Sequence, residues 1–261
     1  MGKLNGQVAV ITGSGRGIGK ATAQLFVKEG AAVVVNDVDE NVAVQTAKEI
    51  EAAGGKVAYC VADVTKPDQC QKLMDTAIQK FGKLDILVNI AGITRDNVIH
   101  KMTDDQWNMA VDISLKGTFN CIRAAAPYMR KDGHNGRVIN ISSMAGVRGN
   151  PGQGNYAAAK GGIISLTKVV AHEWERFGVT CNCVAYGPVD TRLTKVREDQ
   201  DEEVAGEKVG IQQKARDAVL EKYHGRIMQP EDAAQPILYF AQPESWCING
   251  NCLQAALGGF S

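Results

Sequence analysis

Two side chains that the sequence places four residues apart, Tyr156 and Lys160, could together move a proton. On a predicted helix, positions i and i+4 lie on one face, so the phenol and the ammonium would be neighbours. A phenol with an ordinary pKa of about 10 is a poor base, and a nearby positive charge stabilises the phenolate and lowers that pKa. Tyr156 would then give a proton to a carbonyl oxygen or take one from an alcohol. The alternative is an ordinary amphipathic helix in which a Tyr–Lys pair is incidental.

A glycine-rich segment, Thr12–Gly19, follows the first apolar run and opens a helix. Glycines allow a positive φ and let backbone N–H groups come close to a pyrophosphate, and the helix N-terminus adds a partial positive charge. Any tight strand-to-helix turn favours glycine, but here an acid also ends the next strand, and this context favours nucleotide binding. The cofactor contacts expected in this turn are Gly13, Ser14, Arg16, Gly17, Ile18 and Gly19.

The acid at the end of the second predicted strand is Asp37, eighteen residues after Gly19. A carboxylate there accepts hydrogen bonds from the adenosine ribose hydroxyls and repels a 2′-phosphate, which favours NAD over NADP. Asp37 could instead be a helix N-cap. Arg16 argues the other way, because an arginine in the turn can bind a 2′-phosphate. We expect Asp37 to prevail and the cofactor to be NAD.

Apolar, strand-like runs alternate with helical stretches along the chain. The runs are continuous, as expected for strands whose two faces are both covered by helices. The pattern predicts an α/β fold, a Rossmann-like, doubly wound parallel sheet of about seven strands in a single domain over residues 1–261. The predicted strands are Gln7–Thr12, Ala32–Asp37, Lys56–Val61, Leu84–Asn89, Arg137–Ser142, Val179–Ala185 and one near Cys252–Ala255, and the predicted helices include Gly17–Glu29, Glu40–Ala53 and Pro67–Phe81.

Further motifs accompany these residues: Asn89–Gly92 follows the fourth predicted strand, and Ser143 lies thirteen residues before Tyr156. Together with the glycine-rich turn and the Tyr156–Lys160 pair, they resemble the short-chain dehydrogenase/reductase family. The spacing is most similar to its β-ketoacyl (3-oxoacyl thioester) reductase branch. The resemblance implies an NAD(H)-dependent oxidoreductase that interconverts a secondary alcohol and a ketone, such as a hydroxyacyl or oxoacyl thioester or a cyclic alcohol. Ser143, Tyr156 and Lys160 would be catalytic, with Ser143 bonded to the reacting oxygen.

The resemblance also implies cofactor contacts outside the glycine-rich turn. These are Asp63 and Val64 at the adenine edge, Asn89 and Gly92 near the ribose, and Val189 and Thr191 at the nicotinamide carboxamide. Each of them taken singly also has a structural interpretation, such as a turn or a helix cap. The resemblance further implies a homotetramer with closed symmetry. In it, long helices near Asp105–Arg130 and Asn155–Phe177 would pair at one interface and the tail near Cys252–Leu257 would pack at another.

The chain departs from the family pattern in three places. Ser114 stands where the family has an asparagine that helps a water chain to the active-site lysine, so we expect an altered catalytic role for Ser114. Tyr186 replaces a proline, and its ring would either enter the substrate pocket or only pack. The segment Leu253–Gly259 lacks the usual Asp or Asn. These departures support an alternative, a catalytically impaired member that serves as a structural or regulatory subunit of a hetero-oligomer.

The segment Thr191–His224 is polar and charged. A charge run is usually a solvated helix face, but its position after a strand end, where ligands bind in such sheets, also fits a mobile substrate lid over residues 191–224. The two interpretations are compatible. The other expected pocket regions are Thr94–His100 and Ala145–Asn155, in which His100 and Arg148, together with Arg192 of the polar segment, could meet an anionic substrate.

Bulk composition argues against several classes of function. Lys plus Arg and Asp plus Glu both number 29, so the formal net charge is zero, whereas nucleic-acid binding usually needs a basic surplus. The apolar run Val8–Ile11 is too short to cross a bilayer, and we see no signal peptide and expect no membrane association. Seven cysteines without metal-type spacing predict reduced thiols, no bound metal and a cytoplasmic protein.

Overall fold

The computed structural model describes residues 2–199, 203–204 and 207–257 of the chain. The strands are β1 Val8–Ile11, β2 Ala32–Asp37, β3 Val57–Val61, β4 Ile86–Asn89, β5 Arg137–Ser143, β6 Thr180–Tyr186, β7 Glu203–Val204, β8 Glu207–Lys208 and β9 Cys252–Ala255. The α-helices are α1 Gly17–Lys28, α2 Glu40–Ala52, α3 Pro67–Phe81, α4 Asp104–Val111, α5 Gly117–Met129, α6 Met144–Arg148, α7 Gly154–Trp174, α8 Gln213–Lys222 and α9 Pro230–Ala241. Short 3-10 turns occupy Ile99–Lys101, Glu175–Phe177, Arg197–Asp199 and Pro243–Cys247.

The main sheet has seven strands in the order β3-β2-β1-β4-β5-β6-β9, while β7 and β8 pair separately as an antiparallel hairpin. Every neighbouring pair in the main sheet is parallel. The chain moves outward from β1 to β3 and then returns to the other side of β1 as β4. In such a sheet ligands bind at this reversal, beyond the carboxyl ends of the strands. The predicted doubly wound parallel fold is confirmed.

Helices cover both faces of the sheet, so the core lies in two layers. Successive strand residues point to opposite faces. Val10 accordingly packs in the layer that contains Trp174, and its neighbour Ile11 packs in the layer that contains Phe26. This arrangement explains the continuous apolar runs of the sequence, because a strand that is buried on both faces has no solvent-facing positions.

Most element boundaries lie within one or two residues of the predicted ones, and Ala32–Asp37 and Pro67–Phe81 coincide with them. The long helix predicted near Asp105–Arg130 is present from Asp104 to Met129, with π-type hydrogen bonding at Asp112–Lys116 between α4 and α5. A π turn inserts an extra residue and shifts the side chains on either side of it, and such turns are frequent at functional sites.

The polar segment after β6 folds back onto the body of the domain. Isolated parallel bridges join Val189 to Met228 and Val196 to Ile211. The charge run is described only in part, since residues 200–202 and 205–206 lie outside the described residues. A lid at 191–224 therefore stays a prediction. Over the part of the chain that the structure describes, no helix has both the length and the apolar character needed to cross a membrane.

Candidate active site

A cleft of about 1390 Å³ opens beside the carboxyl ends of β1 and β4, where the strand order reverses. The structure brings many of the predicted site residues into its lining: Gly13, Arg16, Gly17, Ile18, Gly19, Asp37, Asp63, Val64, Gly92, Tyr156, Lys160 and Thr191. Five predicted residues are not part of this lining, namely Ser14, Asn89, Ser114, Ser143 and Val189. Dinucleotide-contact and proton-transfer candidates from distant parts of the sequence therefore share one cleft.

The glycine-rich turn is packed tightly against the strands below it. A Cβ atom on Gly19 would lie 2.2 Å from the Gly13 carbonyl oxygen, so only glycine fits at this position in the first turn of α1. Ser14 is buried, its N–H donates to the Asn36 carbonyl at 2.7 Å, and its hydroxyl donates to the Ile11 carbonyl at 2.6 Å. The Ser14 side chain therefore positions the turn from beneath instead of facing a ligand.

Asp37 ends β2 at the rim of the cleft, directly over this turn. Its Oδ1 accepts a hydrogen bond from the Asp39 N–H at 3.2 Å, and a Cβ atom on Gly15 would lie 2.7 Å from its Oδ2. The N-cap of α2 is Asp39, not Asp37, so the alternative interpretation of Asp37 as a helix cap is wrong. A turn without room for a side chain at Gly15 or Gly19, a helix N-terminus and an adjacent carboxylate fit the pyrophosphate and ribose of a dinucleotide.

The proposed proton-transfer group forms where β5 meets α6 and α7. Ser143 ends β5 and lies near the side chain of Tyr156, which is in the first turns of α7. One helical turn later, Lys160 is buried, with its Nζ 5.6 Å from the centroid of the Tyr156 ring. The Lys160 Nζ also donates to the Ile141 carbonyl at 2.7 Å, which fixes the ammonium beneath the tyrosine.

Burial controls the protonation of both groups. It raises the pKa of Tyr156 to about 12, against a lowering effect of the Ser143 hydrogen bond, and the Asp96 carboxylate raises it further. Burial lowers the pKa of Lys160 to about 8. The expected lowering of the Tyr156 pKa is thus not found. Removing the phenolate from water costs more than the local hydrogen bond returns, so the neutral phenol, a proton donor, dominates at neutral pH.

Comparison with known proteins gives a consistent result. Residues 7–202 match the family described as short chain dehydrogenase. The chain is 40% identical over 252 residues to the 3-oxoacyl-[acyl-carrier-protein] reductase FabG of Thermotoga maritima, covering 96% of each chain. It is 34% identical over 255 residues to the (2S)-[(R)-hydroxy(phenyl)methyl]succinyl-CoA dehydrogenase subunit BbsD of Thauera aromatica, covering 98% of this chain and 97% of the relative. A crystal structure of a dehydrogenase/reductase from Sinorhizobium meliloti superimposes with a TM-score of 0.87 at 30% identity, over 99% of this chain and 96% of that one.

The chain belongs to the short-chain dehydrogenase family. Membership makes it an oxidoreductase that acts on an alcohol or a ketone with a nicotinamide cofactor. The predicted resemblance, including its 3-oxoacyl reductase branch, is confirmed by these relatives. The family pattern also gives an expected position in the site for each remaining residue of the cleft.

The adenine-side residues predicted by family resemblance combine cleft positions with structural roles. Asp63 lines the cleft, and its Oδ1 also accepts the Thr65 N–H at 2.9 Å, which closes the turn after β3. Val64 is buried, and its carbonyl accepts Asn120 Nδ2 at 3.0 Å. The functional and structural interpretations of Asp63 are therefore compatible.

Of the residues predicted at the ribose and the nicotinamide, some line the cleft and others are buried beside it. Asn89 is buried at the end of β4, where Nδ2 donates to Asn140 Oδ1 at 2.8 Å and Oδ1 has no hydrogen-bond partner among the described residues. Val189 packs in the core, so its side chain is away from the cleft. Thr191 lines the cleft, with its Cγ2 3.5 Å from where a Cβ atom of Gly17 would lie. The polar segment thus begins directly above the glycine-rich turn.

Ser114 lies in the π turn, fully buried, and its hydroxyl oxygen has no hydrogen-bond partner among the described residues. The position of Gly92 connects it with the proton-transfer group. A Cβ atom on Gly92 would lie 3.1 Å from Ser114 Oγ and 3.4 Å from Lys160 Nζ. Ser114 and Lys160 therefore approach the same point above residue 92. This arrangement fits the predicted relay position of Ser114.

Three residues that the sequence did not single out, Gln153, Asn155 and Asp96, hold the start of α7 in place or act on the pKa of Tyr156. Asn155 is buried and donates from Nδ2 to the carbonyls of Arg95 and Gln106, both at 2.8 Å, which fixes the start of α7. Gln153 donates to Asp96 Oδ2 at 2.9 Å, and burial raises the pKa of Asp96. Their location inside the two predicted pocket segments was the available signal, but contacts between those segments depend on the fold.

Among the other departures from the family pattern, Tyr186 has a structural role. Tyr186 is buried, packs in the core and donates its hydroxyl hydrogen to the Ala233 carbonyl. The interpretation of its ring as a substrate contact is therefore wrong, because β6 turns this side chain towards α9 and away from the cleft. Of the altered tail, residues 258–259 lie outside the described residues.

The basic residues suggested for an anionic substrate lie in different places. Arg192 lines the cleft. Arg148, at the end of α6, donates to the Tyr223 hydroxyl at 3.3 Å and so joins the catalytic side to the polar segment. His100 lies exposed in the 3-10 turn Ile99–Lys101 and is not part of the cleft lining.

Proposed function

We propose that this protein is an NAD(H)-dependent short-chain alcohol dehydrogenase or ketone reductase with Tyr156 as its acid/base. The observation that carries the proposal is the placement of Tyr156 over the buried Lys160 ammonium, in the same cleft as the glycine-rich turn. No part of this group is adjacent in sequence to the turn. Their convergence supports a single site that binds a dinucleotide and moves a proton.

In the direction of ketone reduction, the protein supplies the proton and the bound nicotinamide cofactor supplies the hydride. Tyr156, held neutral by burial, donates its phenolic proton to the carbonyl oxygen. Ser143 donates a hydrogen bond to the same oxygen and orients it. Lys160 stabilises the phenolate that results, because an ammonium beneath the ring favours the charged form. Protons return to Tyr156 past Lys160 and Ser114, and in alcohol oxidation each step runs in reverse.

The proposed preference for NAD(H) rests on Asp37. Its carboxylate lies over the turn, where it accepts hydrogen bonds from ribose hydroxyls and repels a 2′-phosphate. Arg16, the residue that argues for NADP(H), forms an ion pair with Asp39 at 3.2 Å. Of the other expected contacts, Asp63 and Thr191 line the same cleft.

The proposed substrates are 3-oxoacyl or 3-hydroxyacyl thioesters, with cyclic alcohols as the second class. Two relatives are named for thioester substrates, one carried on a protein and one on coenzyme A. A panel of acetoacetyl-CoA, 3-hydroxybutyryl-CoA, cyclohexanol and an aryl alcohol, each assayed with NAD(H) and NADP(H), tests both the substrate class and the cofactor. Turnover of none of them by protein that binds NADH would contradict the substrate proposal.

A second candidate is a structural or regulatory subunit. Ser114 in the relay position and the word "subunit" in the name of one relative favour it. Purified protein alone discriminates between the two candidates, because an enzyme turns over a panel substrate without a partner chain. A subunit without activity would bind NADH and remain inactive.

We also propose a cytoplasmic homotetramer with a mobile lid at residues 191–224. Exposed apolar side chains support the assembly: Phe119 on α5 and Val169 on α7 at one face, and Trp246 and Leu253 near β9 at another. Two self-complementary faces suffice for a closed tetramer with D2 symmetry. Light scattering at micromolar concentration tests the state, and a stable monomer would contradict it.

A further inference from the structure

Three charged side chains line the cleft around the glycine-rich turn: Arg16, Asp37 and Asp39. Arg16 is the group in this turn that would receive a 2′-phosphate, because a guanidinium binds phosphate oxygens through paired N–H donors. In the structure its Nη2 donates to Asp39 Oδ2 at 3.2 Å. The guanidinium of Arg16 is therefore already paired with a carboxylate.

Asp39 is held in place by its own helix. Its Oδ1 caps α2 by accepting the Asn41 N–H at 3.1 Å, which leaves Oδ2 for Arg16. The Asp39 N–H in turn donates to Asp37 Oδ1 at 3.2 Å. One residue thus links the cation that favours a 2′-phosphate to the carboxylate that repels it.

We propose that Asp39 is a specificity-determining residue that weakens NADP(H) binding by pairing with Arg16, in addition to the direct repulsion from Asp37. The proposal rests on the proposed use of NAD(H). With both carboxylates present, the three groups carry one net negative charge. Neutralising Asp39 removes that net charge and releases Arg16 from its carboxylate partner, so a 2′-phosphate gains an attractive contact and loses a repulsive one.

The expected effect is modest, because both partners reach solvent: 27% of the Arg16 side chain and 44% of the Asp39 side chain are exposed. Ion pairs of this kind contribute little more than about 1 kcal/mol, and that figure corresponds to roughly a fivefold change in a dissociation constant. Screening by salt should reduce the effect further, so the measurement belongs at low ionic strength.

The test is Asp39→Asn in the full-length protein, since asparagine has the same shape and retains an oxygen for the cap of α2. Titration with NADH and NADPH, followed by nucleotide fluorescence, should show the Kd for NADPH falling about fivefold while the Kd for NADH stays within about twofold. Asp39→Ser, which keeps the cap but is too short to reach Arg16, should behave alike. Glu49→Gln is the matched control, because it removes one negative charge from the same helix, where Glu49 pairs with Lys20 at 2.5 Å.

A double-mutant cycle decides whether Asp39 acts through Arg16. In an Arg16→Ala background, Asp39→Asn should lower the Kd for NADPH by clearly less than in the wild-type background, because only the loss of repulsion remains. An equal gain in both backgrounds, or no gain in folded Asp39→Asn and Asp39→Ser proteins, would overturn the inference. Tighter binding of NADPH than NADH by the wild-type protein would instead contradict the proposed cofactor preference, and the cycle would still report the coupling between the two residues.

Discussion

The adenosine side of the cleft and its catalytic side are assembled in different ways. Most of the adenosine side comes from one continuous stretch, Thr12 to Asp39, to which Asp63 and Val64 after β3 are added, and its ion pair of Arg16 with Asp39 reaches solvent. The catalytic side collects its groups from four separate elements: Gly92 after β4, Ser114 in the π turn, Ser143 at the end of β5, and Tyr156 and Lys160 on α7. The Lys160 ammonium on this side is buried, and its pKa is displaced by that burial.

This difference decides what a substitution should do on each side. Exposed charges are screened by water, so changes on the adenosine side should alter affinities by modest factors. Buried groups depend on one another in a low-dielectric environment, so changes on the catalytic side should alter rates and pH dependences. The following experiments test that division, beginning with the largest expected effect.

Tyr156→Phe should nearly abolish turnover while the Kd for NADH stays within about twofold. The phenolic proton is needed in the transition state, and loss of a general acid costs about 10²- to 10⁴-fold in kcat. Steady-state kinetics with the best substrate of the panel, together with NADH titration, measures both effects. Tyr59→Phe, at an exposed tyrosine on β3, is the control. A fully active Tyr156→Phe enzyme would rule out the mechanism.

Lys160→Met should remove a component of the pH dependence of stability. Burial lowers the pKa of Lys160 to about 8, whereas an unfolded lysine titrates near 10.4. Between these values the unfolded chain binds a proton that the folded chain has lost, so stability rises with pH, by about 3 kcal/mol in all if nothing else titrates. Urea unfolding of the protein without dinucleotide, from pH 7 to 10.5, measures the rise in the free energy of unfolding.

The control for this experiment is Lys168→Met, which removes an exposed lysine from the same helix. It should preserve the rise in stability above pH 8. An equal rise in the Lys160→Met protein would show that the buried ammonium does not carry it. Turnover by Lys160→Met should also fall sharply, because the phenolate of Tyr156 loses its stabilising charge.

Asp37→Ala should raise the Kd for NADH about tenfold and narrow the difference between NADH and NADPH. A carboxylate that bonds ribose hydroxyls contributes charge-assisted hydrogen bonds, and about 1.4 kcal/mol corresponds to tenfold. Fluorescence titration with both nucleotides measures the change, with Glu49→Gln again as the charge control. Tighter binding of NADPH than NADH by the unmodified protein would mean that Arg16 outweighs Asp37.

Substitutions of Ser114 have the smallest expected effect on kcat, and they test most directly whether protons pass this position. Ser114→Ala should lower kcat by roughly tenfold or less, and Ser114→Asn should raise kcat or leave it unchanged, because an amide bonds water more extensively than a hydroxyl. Gly92→Ala should act like Ser114→Ala, since its methyl group would lie 3.1 Å from Ser114 Oγ and 3.4 Å from Lys160 Nζ. An unaltered kcat and pH profile in Ser114→Ala would show that protons do not pass this position.

Local sequence was sufficient for the glycine-rich turn and Asp37 on the adenosine side. The glycine spacing, the helix that follows and the acid eighteen residues on all lie within one strand–helix–strand unit, so their proximity follows from short-range geometry. The same holds for Tyr156 and Lys160, which share a helix face because they are four residues apart. Local sequence did not identify the N-cap of α2, which is Asp39, or the ion-pair partner of Arg16. Both depend on the path of the turn after β2.

By itself, the sequence determined the parallel sheet, the dinucleotide turn and the Tyr156–Lys160 pair, because periodicity and spacing express contacts between residues that are close along the chain. Only the tertiary structure decided that Tyr186 packs against α9, that a π turn interrupts the middle helix at Ser114, and that Asp96 acts on the pKa of Tyr156. Those outcomes depend on which distant segments share a buried space, and on how much water that space excludes. Burial of this kind sets the pKa of Tyr156 and of Lys160, and no spacing along a chain specifies it.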